Sequence, residues 1–219
     1  NVDPHLGTEE DLSSLAECAR KLGIKLILDV VTNHTGDVIK YNGQSAYIPE
    51  GLQNIKAPEW LNNISNYHNV GEMSRCWGNG ACIQVGDFYG LDDVATEKPE
   101  VYQGWGKVYG DWIRQFGFVG FRVDTARHVD DNFFKTFGEV YDVNPINIMQ
   151  FIRVNKMQTA LDFPFQNMAT EFASGYSNAS DLKYLFSYDD LYTSPTSSAY
   201  NMVTFLGNHD MGRVAFLIN

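Results

Sequence analysis

The chain has 219 residues, 44% of them apolar and 14% aromatic, with 16 Lys+Arg against 27 Asp+Glu for a formal charge of −11. So much apolar chain can bury a core, while the acidic balance argues against nucleic acid and anionic membranes, whose phosphates need basic side chains. No apolar run reaches the roughly 18 residues of a membrane-spanning helix, and 3 cysteines cannot frame a disulfide-stapled miniprotein. The first residue is Asn1 rather than Met, which reads as a processed chain or a fragment.

In chain order, Thr8 followed by Asp11 reads as a helix cap, and Leu12, Leu15, Ala16, Ala19 and Leu22 recur at helical spacing up to Gly23. Cys18 falls on the apolar side of this helix and is expected as a buried thiol. The run from Ile24 to Val31 reads as a parallel strand buried on both faces. Pro99 opens a second helix with an apolar stripe from Val101 to Phe116, closed by Gly117. Phe118 to Asp124 is then a second buried strand. Further strands are expected over 136–141, 159–165 and 202–206, with a helix over 180–188. Helices alternating with parallel strands predict an α/β fold.

Residues 35–117 separate the first strand from the second, a stretch rich in Gly, Asn, Tyr and Trp and too long for an ordinary connection. Its Trp60, Tyr67, Trp77, Phe88 and Tyr89 either stack on a flat ligand or, more in keeping with a stretch of this size, form a small core of their own. Cys76 and Cys82 can pair in an oxidising compartment.

Each expected strand ends in polar groups: Asp29 to His34, Asp124 to His128, Glu139 to Asp142, and Asn208 to Asp210. The carboxyl ends of parallel strands meet at one face, where active sites gather. Carboxylates brought together there suit general acid/base work or glycosidic cleavage. A lone acid at a strand end is usually a cap or a solvated loop residue, and Asp29 could equally be a structural acid. Four strand ends carrying such groups are hard to obtain from capping alone.

The segments Asp29–His34, Gly120–His128, Gly138–Tyr141 and Phe205–Asp210 resemble, in order, the four short motifs of the α-amylase family, glycoside hydrolase family 13. Leu91–Thr96 is similar to the family's further motif in its inserted domain B. The resemblance implies a (β/α)8 TIM barrel, incomplete in this chain, with domain B inserted after the third strand. Residues 1–34 and 118–219 would be barrel, and residues 35–117 domain B plus the following barrel helix. It also implies a retaining glycoside hydrolase acting on α-glucosidic, mainly α-1,4, bonds of starch or maltodextrins. The alternatives are an α-glucan transglycosylase and a non-catalytic relative that binds carbohydrate or serves transport.

By matching positions, Asp124 would be the nucleophile, Glu139 the general acid/base and Asp210 the third, transition-state-stabilising acid. Arg122 would keep Asp124 ionised. His34 and His209 would bind the sugar, with Arg127 and His128 on the leaving-group side. Arg127 stands where many members have Lys, keeping the charge but not the geometry. Asn33, Asp93 and the His128 carbonyl would hold Ca2+. The partners implied are an α-glucan or malto-oligosaccharide, without nucleic acid or a membrane span, and the location is secreted or periplasmic. One spacing departs from the family: Asp124 and Glu139 lie too close for a crossover of about a dozen residues or more plus two strand ends. Residues are therefore expected to be missing around 132–135.

Overall fold

A computed structural model describes residues 2–73, 82–130, 133 and 137–218. It comprises two compact units: residues 1–124 with 128–133, and residues 125–127 with 134–219. Cys76, Trp77 and the connection around 132–135 fall outside the described residues, apart from Phe133.

In the first unit, α1 (Glu9–Lys21) starts at a reciprocal cap, in which the Asp11 N–H donates to Thr8 Oγ1 at 3.1 Å and the Thr8 N–H to the Asp11 carboxylate at 2.9 Å. Gly23 follows it at φ +71°, which a side chain would resist. Cys18 is exposed, contrary to expectation. The helix buries only Ala19 while Leu15 and Leu22 stay exposed, so its covered stripe is narrower than its apolar one.

Strand β1 (Ile27–Val31), helix α2 (Pro99–Phe116) and strand β6 (Gly120–Asp124) form the frame of this unit. Strands β1 and β6 are parallel, in register from Ile27↔Gly120 to Val31↔Asp124. Val30 and Val123 are buried, but Ile27 and Val31 are exposed. The expectation of a first strand buried on both faces is thus met at its centre alone. Burying both faces of a parallel strand takes more neighbouring elements than this unit holds. Helix α2 begins on Pro99 and ends at Gly117, φ +73°, whose N–H returns to the Ile113 carbonyl at 2.8 Å.

Between β1 and α2 the chain leaves and returns through one small ladder. Strand β2 (His34–Thr35) pairs antiparallel with β5 (Asp92–Asp93), in register His34↔Asp93. Within the excursion, β3 (Lys40–Asn42) and β4 (Ser45–Tyr47) form a hairpin. Its apolar side chains join those of α2 in one core of Ile39, Leu61, Tyr67, Val94, Val101 and Trp105. Trp60 meets Trp105 edge-on at 5.1 Å, and Trp105 stacks on Tyr109 at 5.4 Å. Trp60 and Tyr67 are therefore core residues. The buried Lys56 ammonium closes the excursion, donating to Asp92 Oδ2 and Thr35 Oγ1, both at 2.6 Å, and to the Tyr67 hydroxyl at 3.1 Å.

The second unit is mostly helical: α3 (Pro145–Met149), α4 (Phe163–Ala173), α5 (Ala179–Phe186), α6 (Asp189–Tyr192) and α7 (Val214–Leu217), with β7 (Phe137–Gly138) before them. Three strand expectations shrink here. Among the described residues 137–141 only β7 is strand, because Asp142 and Asn144 at once build a turn and the cap of α3. Residues 159–165 and 202–206 meet in a single parallel bridge, Leu161↔Val203. The first is cut short because Asp162 caps α4 through the Phe165 N–H at 3.0 Å, and Phe163 and Pro164 already belong to the helix. The helix expected over 180–188 is α5, capped by Asn178 and Asp181.

Gly104, inside α2, lies directly under Trp60: a β-carbon there would stand 2.4 Å from the indole Cε2. Gly104→Ala gains about 1 kcal/mol of helix propensity but forces this core apart, which typically costs about 1–3 kcal/mol. Denaturant unfolding should show a net loss of stability. A net gain would contradict the close Trp60 packing.

Candidate active site

The register of β1 and β6 sets Asp29 opposite Arg122 and Val31 opposite Asp124. Side chains two positions apart share a face of a strand, so Asp124 stands beside Arg122. The Arg122 Nη1 donates to both Asp29 oxygens, at 2.8 and 3.0 Å, and to Asp124 Oδ1 at 3.0 Å. The guanidinium is almost buried, Asp29 is half exposed, and Asp124 is 21% exposed. One fixed cation thus grips Asp124 by a single oxygen and is held from behind by Asp29. Directly after Asp124, Thr125 adopts φ +46°, a strained conformation for a β-branched residue.

Beside this pair lies a ring cluster. His34 stacks on Phe88 at 5.7 Å, and His128 meets the same ring edge-on at 5.1 Å. His128 is buried, with Nδ1 donating to the Ile83 carbonyl at 2.9 Å. His34 Nδ1 is buried without a hydrogen-bond partner. Burial holds its pKa below the ordinary histidine value, with the charge of Asp124 working the other way.

The β2–β5 ladder brings Asn33 to Asp93, and the Val94 N–H donates to the Asn33 carbonyl at 2.8 Å. Asn33 and Asp93 are each 1% exposed. Asn33 Oδ1 and Nδ2 and Asp93 Oδ1 are buried without hydrogen-bond partners. Asp93 Oδ2 is held by His68 Nδ1. Burial, helped by the charge of Asp87, pushes the Asp93 pKa up to about 7, against the lowering contacts of His68 and, more weakly, of the Asn33 amide. The neighbouring Asp92, equally buried, is saturated by Lys56 and by the N–H groups of Val38 and Ile39 at 3.0–3.1 Å. Asp93 is therefore no solvated loop acid. Orphaned buried oxygens cost free energy unless something fills them, and an amide with a carboxylate oxygen suits a hard cation. Among the described residues no three His, Cys, Asp or Glu side chains form a metal cluster, so a cation here would rest on this amide–carboxylate pair and on main-chain carbonyls.

The second unit carries the remaining site residues. Glu139 is buried, with an oxygen 3.5 Å from the Thr125 N–H. Arg127 lies 3.4 Å from Asp142 and 3.5 Å from the Tyr141 carbonyl. His209 Nε2 lies 3.2 Å from Asp210 Oδ2, both side chains being exposed, and the Asp210 N–H donates to Asn208 Oδ1 at 3.0 Å. Each unit thus holds part of the expected set: Asn33, His34, Asp93, Arg122, Asp124 and His128 in the first, Arg127, Glu139, His209 and Asp210 in the second. Sequence reasoning passed over His68 and Lys56. Their partners lie 25 and 36 positions away, and no local pattern marks them.

A model of the alpha amylase catalytic domain matches residues 1–136. An alpha-amylase of Streptomyces lividans is 35% identical, over 97% of this chain and 30% of that protein. One from Saccharomycopsis fibuligera is 29% identical, over 98% of this chain and 43% of its own length. Among solved structures, an Anoxybacillus alpha-amylase superposes with a TM-score of 0.80 at 27% identity, and the Geobacillus thermoleovorans alpha-amylase complexed with acarbose with 0.78 at 28%. Both cover 99% of this chain and 47% of theirs. This chain spans less than half the length of each relative, and carries part of the TIM barrel.

Proposed function

Because this chain belongs to the alpha-amylase catalytic-domain family, we propose that its whole protein is a retaining glycoside hydrolase that cleaves α-glucosidic, mainly α-1,4, bonds of starch or maltodextrins. The observation that carries the reading is the Asp29–Arg122–Asp124 arrangement at the carboxyl ends of two registered parallel strands. A nucleophilic carboxylate must be ionised and aimed. A cation bound to one oxygen leaves the other free to attack.

In this reading Glu139 protonates the glycosidic oxygen as Asp124 attacks the anomeric carbon, giving a covalent glucosyl-enzyme and a free leaving sugar. Water then gives a proton to Glu139 and its oxygen to the anomeric carbon, releasing Asp124 with net retention. Asp210 stabilises the positive charge that develops between these states. His34, its pKa lowered by partial burial, and His209 hydrogen-bond the sugar, while Arg127 and His128 face the leaving group. Residues 35–117 hold the domain B of this reading together with the following barrel helix, and action on external polysaccharide implies a secreted or periplasmic protein.

Calcium completes the reading. Asn33 Oδ1, Asp93 Oδ1 and the His128 main-chain carbonyl would hold it, and the orphaned oxygens of Asn33 and Asp93 support that assignment. When bound it supplies structural charge, tying the excursion to the strand ends.

In the full-length protein, Asp124→Asn and Glu139→Gln should each lower kcat on soluble starch by about 10²–10⁴-fold, with little change in unfolding temperature. Ordinary turnover in either variant would overturn the assignment. Chelation should lower Tm, and calcium at about a hundred times its Kd should restore about 2.7 kcal/mol. In Asp93→Asn neither treatment should move Tm. An unmoved Tm in the unsubstituted protein would remove calcium from the account.

A further inference from the structure

Asp93 offers one oxygen rather than two, and the cause is a histidine with no part in the proposed chemistry. Residues 66–68 run antiparallel to 93–95: the Ala95 N–H donates to the Asn66 carbonyl at 2.8 Å, Tyr67 bridges Val94, and the His68 N–H donates to the Asp93 carbonyl at 3.1 Å. This pairing fixes the His68 side chain beside that of Asp93. His68 Nδ1 takes Asp93 Oδ2, while Nε2 is anchored from behind by Glu97 Oε2 at 3.1 Å. The imidazole is only 15% exposed and its aspartate partner is fully enclosed, so water cannot replace it readily. The result is a carboxylate locked by one oxygen, with the other, Oδ1, buried beside the Asn33 amide and making no well-formed hydrogen bond.

We infer that His68 is a positioning residue for cation binding: it occupies Asp93 Oδ2 and so presents Oδ1 as a single, pre-aimed ligand beside Asn33, with Glu97 holding the imidazole in place. The inference rests on the calcium reading above. Without the Nδ1 contact, the Asp93 carboxylate is free to rotate about its last bond, and binding a cation must first order it. Partners that orient a ligand from outside typically contribute 10–100-fold to metal affinity.

The position of the donor provides the test. An asparagine places its amide nitrogen where His68 Nδ1 stands, whereas a glutamine reaches toward the place of Nε2. Both are neutral, so comparing them cancels any effect of charge on the imidazole. Calcium titration by calorimetry on the full-length protein should give His68→Asn a Kd near the unsubstituted value and His68→Gln a Kd 10–100-fold weaker. Equal affinities in the two variants would overturn the positioning role while leaving calcium at Asp93. Absence of calcium binding to the unsubstituted protein, or undiminished binding in Asp93→Asn, would overturn the calcium reading itself. Equal unfolding temperatures of the two variants without calcium would show that the difference lies in binding rather than in folding.

Discussion

The parallel pairing of β1 with β6 is the constraint on which the rest depends. Its register, Val31 opposite Asp124 and Asp29 opposite Arg122, is set by backbone hydrogen bonds, and a slip of one residue would turn every side chain to the other face. Only in this register can one guanidinium reach both Asp29 and Asp124. The same strand end feeds β2, whose ladder with β5 carries Asn33 to Asp93 and closes the excursion. The Tyr109 hydroxyl adds a tie from α2 to the Val31 carbonyl at 2.8 Å. The candidate nucleophile and the candidate cation ligands thus stand on two ladders, β1–β6 and β2–β5, that the end of β1 joins.

Two adjacent acids show how much depends on partners rather than residue type. Asp92 and Asp93 are equally buried. Asp92 meets a lysine and two main-chain N–H groups, so its charge is satisfied within the chain and it works as a structural clasp. Asp93 meets one histidine and keeps an oxygen unpaired, a costly arrangement in a buried site unless a ligand completes it. A carboxylate left half-satisfied in a core marks a binding role more clearly than exposure does.

Much of this was legible in the sequence because it is local. The cap at Thr8 and Asp11, the stripe of α2 between Pro99 and Gly117, and the cores of β1 and β6 all follow from spacing within a few residues. The four motifs that carry the family resemblance are likewise short runs. What spacing could not supply is long-range. Nothing near His68 announces Asp93, nothing near Lys56 announces Asp92, and the exposure of Cys18 depends on how little of α1 finds a neighbour. Residues 159–165 misled for a different reason: their apolar content reads as strand, but Asp162 and Pro164 are helix-starting residues and they win.

The central claim is that Asp124, gripped by Arg122, is the atom donor to the anomeric carbon. Incubating the full-length protein with an activated fluoro-glucosyl substrate that forms the intermediate quickly and hydrolyses it slowly, then mapping the peptides by mass spectrometry, tests it most directly. A single glucosyl ester on the peptide bearing Asp124 is the result the account predicts. An ester on any other residue, or turnover with inversion and no adduct, would contradict it.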